Sequence, residues 1–255
     1  MRKLFLAGNW KMHKNYKEAT SFFDELNEFS WNDNIKVGLF VPGLYAQNLA
    51  KHSLKNKIAV GVQNGHFEDK GAYTGEWSME MIKDINIDWV LIGHSERRQY
   101  FNETNHTVNL KIKKALDKKV NVIFCCGETL EERNQDRAKI VLEDQIKQGL
   151  KDISEEEIKN ITIAYEPVWA IGTGVNATKE EAEDMCKYIR GLVEELYNKS
   201  VAETILIQYG GSVKPENIIS LMEMPNIDGA LIGGASLKID SFKELLSLGG
   251  SLYEK

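Results

Sequence analysis

Three residues suited to acid–base chemistry stand just beyond apolar runs of strand length. Glu166 follows Ile-Thr-Ile-Ala-Tyr, His94 follows Trp-Val-Leu-Ile-Gly, and Lys11 comes shortly after Leu-Phe-Leu-Ala-Gly, with Asn9 between. A carboxylate at the end of a buried strand loses hydration, which raises its pKa and suits it to act as a general base near neutrality. A histidine at a strand–helix junction can polarise or protonate an oxygen, and a lysine attracts a phosphate or a developing oxyanion. Taken singly, each has a plainer reading: a salt-bridged rim glutamate, a structural histidine, a solvated lysine. Gln63, Asn64, Glu96 and Glu128 also fall just after such runs and complete the polar candidates.

Glycine turns accompany them. Gly210-Gly211-Ser212 and Gly233-Gly234 each follow an apolar run, and Gly172-Thr173-Gly174 lies in the connection after Glu166. Glycine lets backbone N–H groups approach a ligand, and a helix N-terminus adds partial positive charge, so these turns suit a phosphate. Residues 172–177 also fit the dinucleotide pattern G-x-G-x-x-A, but Pro167 to Ile171 separate the glycines from the preceding strand, whereas a nicotinamide fingerprint follows its strand directly. The segment from 167 to about 177 reads instead as a lid. A base, a histidine and a lysine beside phosphate-type turns point to proton transfer on an anionic substrate.

Positioning these residues requires a scaffold that gathers strand ends. Apolar runs occur at 4–8, 36–41, 58–63, 89–93, 120–125, 161–165, 205–209 and 229–233. Most are continuous in Val, Ile, Leu and Phe, as in parallel strands covered on both faces. Helix-period segments such as 16–29, 108–118 and 179–196 lie between them. Eight strand–helix units in 255 residues give about 32 residues per unit, which fits a closed (β/α)8 TIM barrel forming one α/β domain over 1–255. An open doubly wound sheet is the structural rival. Ser154 with Glu157 and Thr178 with Glu181 are spaced as capping boxes that open helices.

Composition narrows the function classes. With 32 basic and 38 acidic residues the net charge is −6, too acidic for a general grip on nucleic acid. No apolar run reaches bilayer length, and the first residues lack the apolar stretch of a secretory signal, so a cytoplasmic protein without membrane association is expected. Cys125, Cys126 and Cys186 are odd in number and lack paired spacing, which argues against disulfides. His13, His52, His66 and His106 show no metal-ligand spacing, so no metal is expected.

Five strings, GNWKMH (8–13), GHSERR (93–98), YEPVWAIGTG (165–174), YGGSV (209–213) and LIGGASL (231–237), resemble the triosephosphate isomerase family, in order from the first strand to the last. The resemblance implies interconversion of dihydroxyacetone phosphate and D-glyceraldehyde 3-phosphate, a step of glycolysis and gluconeogenesis, through an enediol(ate) and without a cofactor. It implies that Glu166 is the base, that His94 shuttles protons between the two oxygens, that Lys11 stabilises the enediolate and that Asn9 holds substrate. This family is itself the standard example of a neutral histidine electrophile and of lid closure. Glu96 becomes an auxiliary acid–base residue, and Gly172, Ser212, Gly233 and Gly234 hold the phosphate. GAYTGEWS (71–78) is similar to the family's projecting loop, which implies a homodimer with Thr74 reaching the partner's site. Val175 and Asn176 depart from the basic residue common at the lid's second hinge, and Val62, Cys126 and the 41–43 segment depart elsewhere. A different sugar-phosphate isomerase and a catalytically silent barrel are the competing readings. The second is disfavoured because Asn9, Lys11, His94 and Glu166 are all present.

Overall fold

The computed structural model describes residues 2–53, 58–171 and 177–253. Eight parallel strands close on themselves in sequence order: β1 (Leu4–Asn9), β2 (Ile35–Val41), β3 (Ala59–Val62), β4 (Trp89–Ile92), β5 (Asn121–Cys126), β6 (Ile161–Tyr165), β7 (Leu206–Tyr209) and β8 (Gly229–Ile232). β8 pairs back onto β1 through Phe5 opposite Gly229 and Gly8 opposite Ile232, so the sheet has no free edge. The closed eight-stranded TIM barrel expected from the apolar runs is therefore the fold, and the open doubly wound sheet is excluded.

Strand alternation sorts the residues into two layers. Phe5, Ala7, Phe40, Trp89, Leu91, Ile123, Cys125, Ala164 and Leu231 fill the barrel interior. Their chain neighbours, such as Leu4, Leu6, Leu39, Val90, Phe124 and Ile163, pack outward against the helices. Both faces are thus buried, which explains continuous apolar runs in place of an alternating pattern. Cys125 falls in the inner layer and Cys126 in the outer one, and burial raises both thiols, as expected of packing residues.

The covering helices obey local rules. Asn15 and Glu18 form a reciprocal cap at the start of Tyr16–Asn27, and Thr178 and Glu181 do the same for Lys179–Leu196. Ser154 and Glu157 exchange the bonds expected of a capping box, yet they open only the short 3-10 turn Glu157–Asn160. Asn160 is followed at once by β6, so no room remains for another turn. No helix among the described residues is long and apolar enough to cross a membrane.

Candidate active site

Alternation carries past the strand ends and aims the polar candidates inward. Phe5 and Ala7 face the interior, so Asn9, the last residue of β1, turns into the same mouth; Ala164 faces inward, and so does Glu166 two residues on. The sequence placed the end of β1 one residue earlier, and the extra strand residue is Asn9 itself. Asn9, Lys11, His94, Glu166, Gly210, Gly211, Ser212, Gly233 and Gly234 line one cavity of about 560 Å3 at the strand C-termini. These residues, read separately from sequence, are brought together; Glu96, Gln63 and Asn64 line a neighbouring cavity that shares Asn9, Lys11 and His94, Glu128 and Thr74 line neither, and Gly172, Val175 and Asn176 lie outside the described residues.

Glu166 is fixed from both sides of its own backbone. Its N–H donates to the Cys126 carbonyl at 2.7 Å, and Gly210 N–H donates to the Tyr165 carbonyl at 2.7 Å. A Cβ at Gly127 would lie 1.7 Å from the Glu166 carbonyl oxygen, and one at Gly210 would lie 2.8 Å from Glu166 Cγ. Glycine is required at the first position to let the two backbones meet, and at the second to leave space for the carboxylate. Glu166 Oε1 faces His94 Nε2 at 3.0 Å, and its Oε2 accepts the Ser95 N–H at 3.2 Å.

His94 caps the short helix Ser95–Tyr100, and its Nδ1 accepts the Glu96 N–H at 3.2 Å. That bond leaves the ring proton on Nε2, the nitrogen that faces the cavity. Burial depresses the imidazolium, but the Glu166 and Glu96 carboxylates oppose it against Lys11, and the net shift is upward. This upward direction is opposite to the lowered-pKa histidine that the family resemblance implies, and it comes from Glu166 lying against the ring, while the acceptor role of Nδ1 describes a neutral imidazole protonated on Nε2.

Lys11 adopts a left-handed backbone, φ 52°, which a non-glycine residue occupies only under constraint. Its N–H donates to Asn9 Oδ1 at 3.0 Å, and its Nζ meets Glu96 Oε1 at 2.7 Å. Glu96 thus holds the lysine and stands 3.7 Å from His94 Nδ1, away from the side of the ring that faces Glu166. Trp10, fully buried between Phe22 and Phe23, donates its indole N–H to Ser236, whose N–H and hydroxyl bond back to Gly233. The first strand end and the last glycine turn are thereby fixed to each other.

Other rim candidates are structural supports. Glu128 is fully buried, and its Oε1 accepts Trp169 Nε1–H at 2.8 Å and the Tyr165 hydroxyl at 3.1 Å. Burial raises its pKa against those bonds. It anchors the start of the segment expected to be a lid. Gln63 donates to the Phe40 carbonyl, and Asn64 accepts Lys111 Nζ at 2.8 Å. Lys111 in turn shares Glu103 with Arg97, each at 2.5 Å. Sequence reading missed this buried charge cluster behind the His94 helix. A lysine amid the apolar positions of the helix Asn105–Asp117 is the signal that marks it.

Thr74 lies exposed on a loop that leaves the barrel and returns at Ser78, with His66 packed against Phe67 and Tyr73 at 4.4 and 4.3 Å between ring centres.

The fold and the site together define a (β/α)8-barrel enzyme of the acid–base type, with a pocket suited to a small anionic substrate. The sequence matches the triosephosphate isomerase family profile over residues 4–248. It is similar to triosephosphate isomerases of Alkaliphilus metalliredigens, 50% identical over 242 residues and covering 95% of this chain and 98% of that one. The enzyme of Carboxydothermus hydrogenoformans is 50% identical over 248 residues, 96% and 98% of the two chains, and that of Finegoldia magna 46% over 250 residues, 98% and 100%. The chain belongs to the triosephosphate isomerase family.

Proposed function

We propose that this protein interconverts dihydroxyacetone phosphate and D-glyceraldehyde 3-phosphate, an isomerisation of glycolysis and gluconeogenesis, with no metal or organic cofactor. The observation that carries the reading is the convergence of Glu166, His94 and Lys11 on one cavity beside the Gly210–Ser212 and Gly233–Gly234 turns, in a chain that matches the family over nearly its whole length.

Glu166 is the base. Substrate entering between Glu166 and His94 replaces the contact that the two now make, and the carboxylate takes a proton from the carbon beside the carbonyl and returns it to the neighbouring carbon. Losing Glu166 as a close partner removes the main influence that raises the His94 pKa, leaving burial, Lys11 and the bond to Glu96 N–H, which favour a neutral ring, against the Glu96 carboxylate alone. The Nε2–H then polarises the substrate oxygen and moves protons between the two oxygens of the enediol(ate). Lys11 supplies positive charge to that oxygen, Asn9 orients the substrate, and Glu96 holds Lys11. N–H groups of Ser212, Gly233 and Gly234, joined by Gly172, take the phosphate dianion. Closure of the segment from 167 to about 177 excludes water and keeps the intermediate from losing phosphate.

A homodimer completes this reading. The exposed Thr74 loop and the nearby exposed side chains of Met12, Leu44 and Phe101 suit contact with a second copy. A cytoplasmic location agrees with the acidic, cysteine-poor composition. Incubation with dihydroxyacetone phosphate in D2O tests the activity: glyceraldehyde 3-phosphate with deuterium at the exchanged carbon is expected, and absence of both product and exchange removes the proposal.

A further inference from the structure

The opposite mouth of the barrel, where the strands begin, opens on a second cavity of about 630 Å3. Strand-opening residues line it, among them Lys36 of β2, Trp89 of β4, Asn121 of β5 and Thr162 of β6. Lys36 is level with Phe5 of β1 and shares a strand face with Gly38 and Phe40, so it belongs to the inward layer. Its Nζ lies 3.7 Å from the centre of the Trp89 ring and 4.5 Å from that of Phe5. The charged groups on the facing wall are Glu155, Glu156 and Lys159, and Lys159 is paired with Glu156. No carboxylate among the described residues offsets the burial of Lys36, and burial lowers its pKa to about 8. An ammonium in this position is held by two aromatic faces and by nothing of opposite charge.

We propose that Lys36 is a nucleophilic amine that accepts an acyl group from small activated carboxylic acids of the acyl phosphate class. The lone pair of the neutral amine attacks the acyl carbon. The C–N bond forms as the C–O bond to phosphate breaks, phosphate leaves with the electron pair, and the displaced amine proton passes to solvent. No oxidant or reductant is needed. Three features favour the step. The cavity admits a donor of a few heavy atoms. The aromatic walls accept the alkyl part of the amide. The product also removes a charge that the pocket solvates poorly. At pH 7.5 about a quarter of such an amine is neutral, against about a thousandth of an ordinary lysine. Lower intrinsic nucleophilicity and partial burial take back much of that gain.

The test treats the intact protein with limiting acetyl phosphate across pH 6.5–10 and follows each lysine by peptide mass spectrometry. Lys36 is expected to acetylate at least about fivefold faster than the exposed helix residues Lys17 and Lys51 at pH 7.5. Its rate should level off above about pH 8 while theirs go on rising. A Lys36 rate equal to or below theirs, or one that climbs through pH 9 without levelling, overturns the proposal.

Discussion

His94 Nε2 and Glu166 Oε1 lie 3.0 Å apart in a pocket where both side chains are buried, so the proposed base and the proposed electrophile are each other's partner before substrate arrives. Each satisfies the other's desolvated polar atom. The pair also makes the site's electrostatics conditional, because whatever separates the two groups lowers the imidazole pKa at the moment a neutral ring is needed. Proximity of the two groups therefore sets both the resting state and the change on binding.

Glu166→Asp withdraws the carboxylate by about 1 Å while keeping its charge, and a misplacement of that size costs on the order of 10²-fold in rate. The expected result in steady-state assays is a fall of that order in kcat with KM within a few-fold of wild type. Turnover at the wild-type level contradicts the assignment of Glu166 as base.

Gly210→Ala tests the space beside that carboxylate. Its Cβ would come 2.8 Å from Glu166 Cγ and 3.1 Å from the Tyr165 carbonyl oxygen, so the closest contact falls on the carboxylate-bearing side chain and the backbone need give by only a few tenths of an ångström. Turnover should fall by about tenfold or more, with the folding midpoint lowered by only a few degrees. Gly127→Ala, where the Cβ meets the Glu166 carbonyl at 1.7 Å, should instead prevent normal folding. Thermal melts and kinetics on the two variants separate these outcomes.

Much of the site was legible because it follows from a two-residue period. Thr162, Ala164 and Glu166 alternate inward along β6, as Phe5, Ala7 and Asn9 do along β1, and any polar residue ending such a series at the strand C-terminus must face the mouth. The contacts that hold the site were not legible, since they join distant parts of the chain. Lys11 reaches Glu96 across 85 residues, and Glu128 is met by Tyr165 and Trp169, 37 and 41 residues on. Glu128 stood out by position alone, and only its partners distinguish a buried anchor for Tyr165 and Trp169 from a catalytic acid. The positive φ of Lys11 gave no sign in sequence because lysine is not a residue that marks it.

Glu128→Ala removes the acceptor for two buried donors, the Trp169 indole and the Tyr165 hydroxyl. Each orphaned donor costs about 1–3 kcal/mol. With two donors affected, denaturant unfolding should report a loss of about 2–6 kcal/mol. Trp169 also packs under the Arg133 guanidinium at 4.4 Å and lies near the start of the segment expected to be a lid, so kcat/KM should fall as well. Wild-type kinetics in a destabilised variant would confine Glu128 to a role in stability.

Lys36 makes stability depend on alkaline pH. Its pKa is about 8 in the folded protein and near the ordinary 10.5 in the unfolded chain. Between these values the unfolded chain binds more protons, so ΔG of unfolding rises with pH through that window. Below pH 8 both states carry the charge, and the folded protein bears the full cost of burying it. In Lys36→Met this contribution is absent. The melting temperature of the variant relative to wild type should therefore be most favourable at pH 6–7.5 and decline steadily from pH 8 to 10.5, whatever offset the loss of the Trp89 and Phe5 contacts adds at all pH values. Scanning calorimetry at matched ionic strength gives the difference directly, and a difference that stays flat across the window would mean that Lys36 keeps an ordinary pKa in the folded barrel.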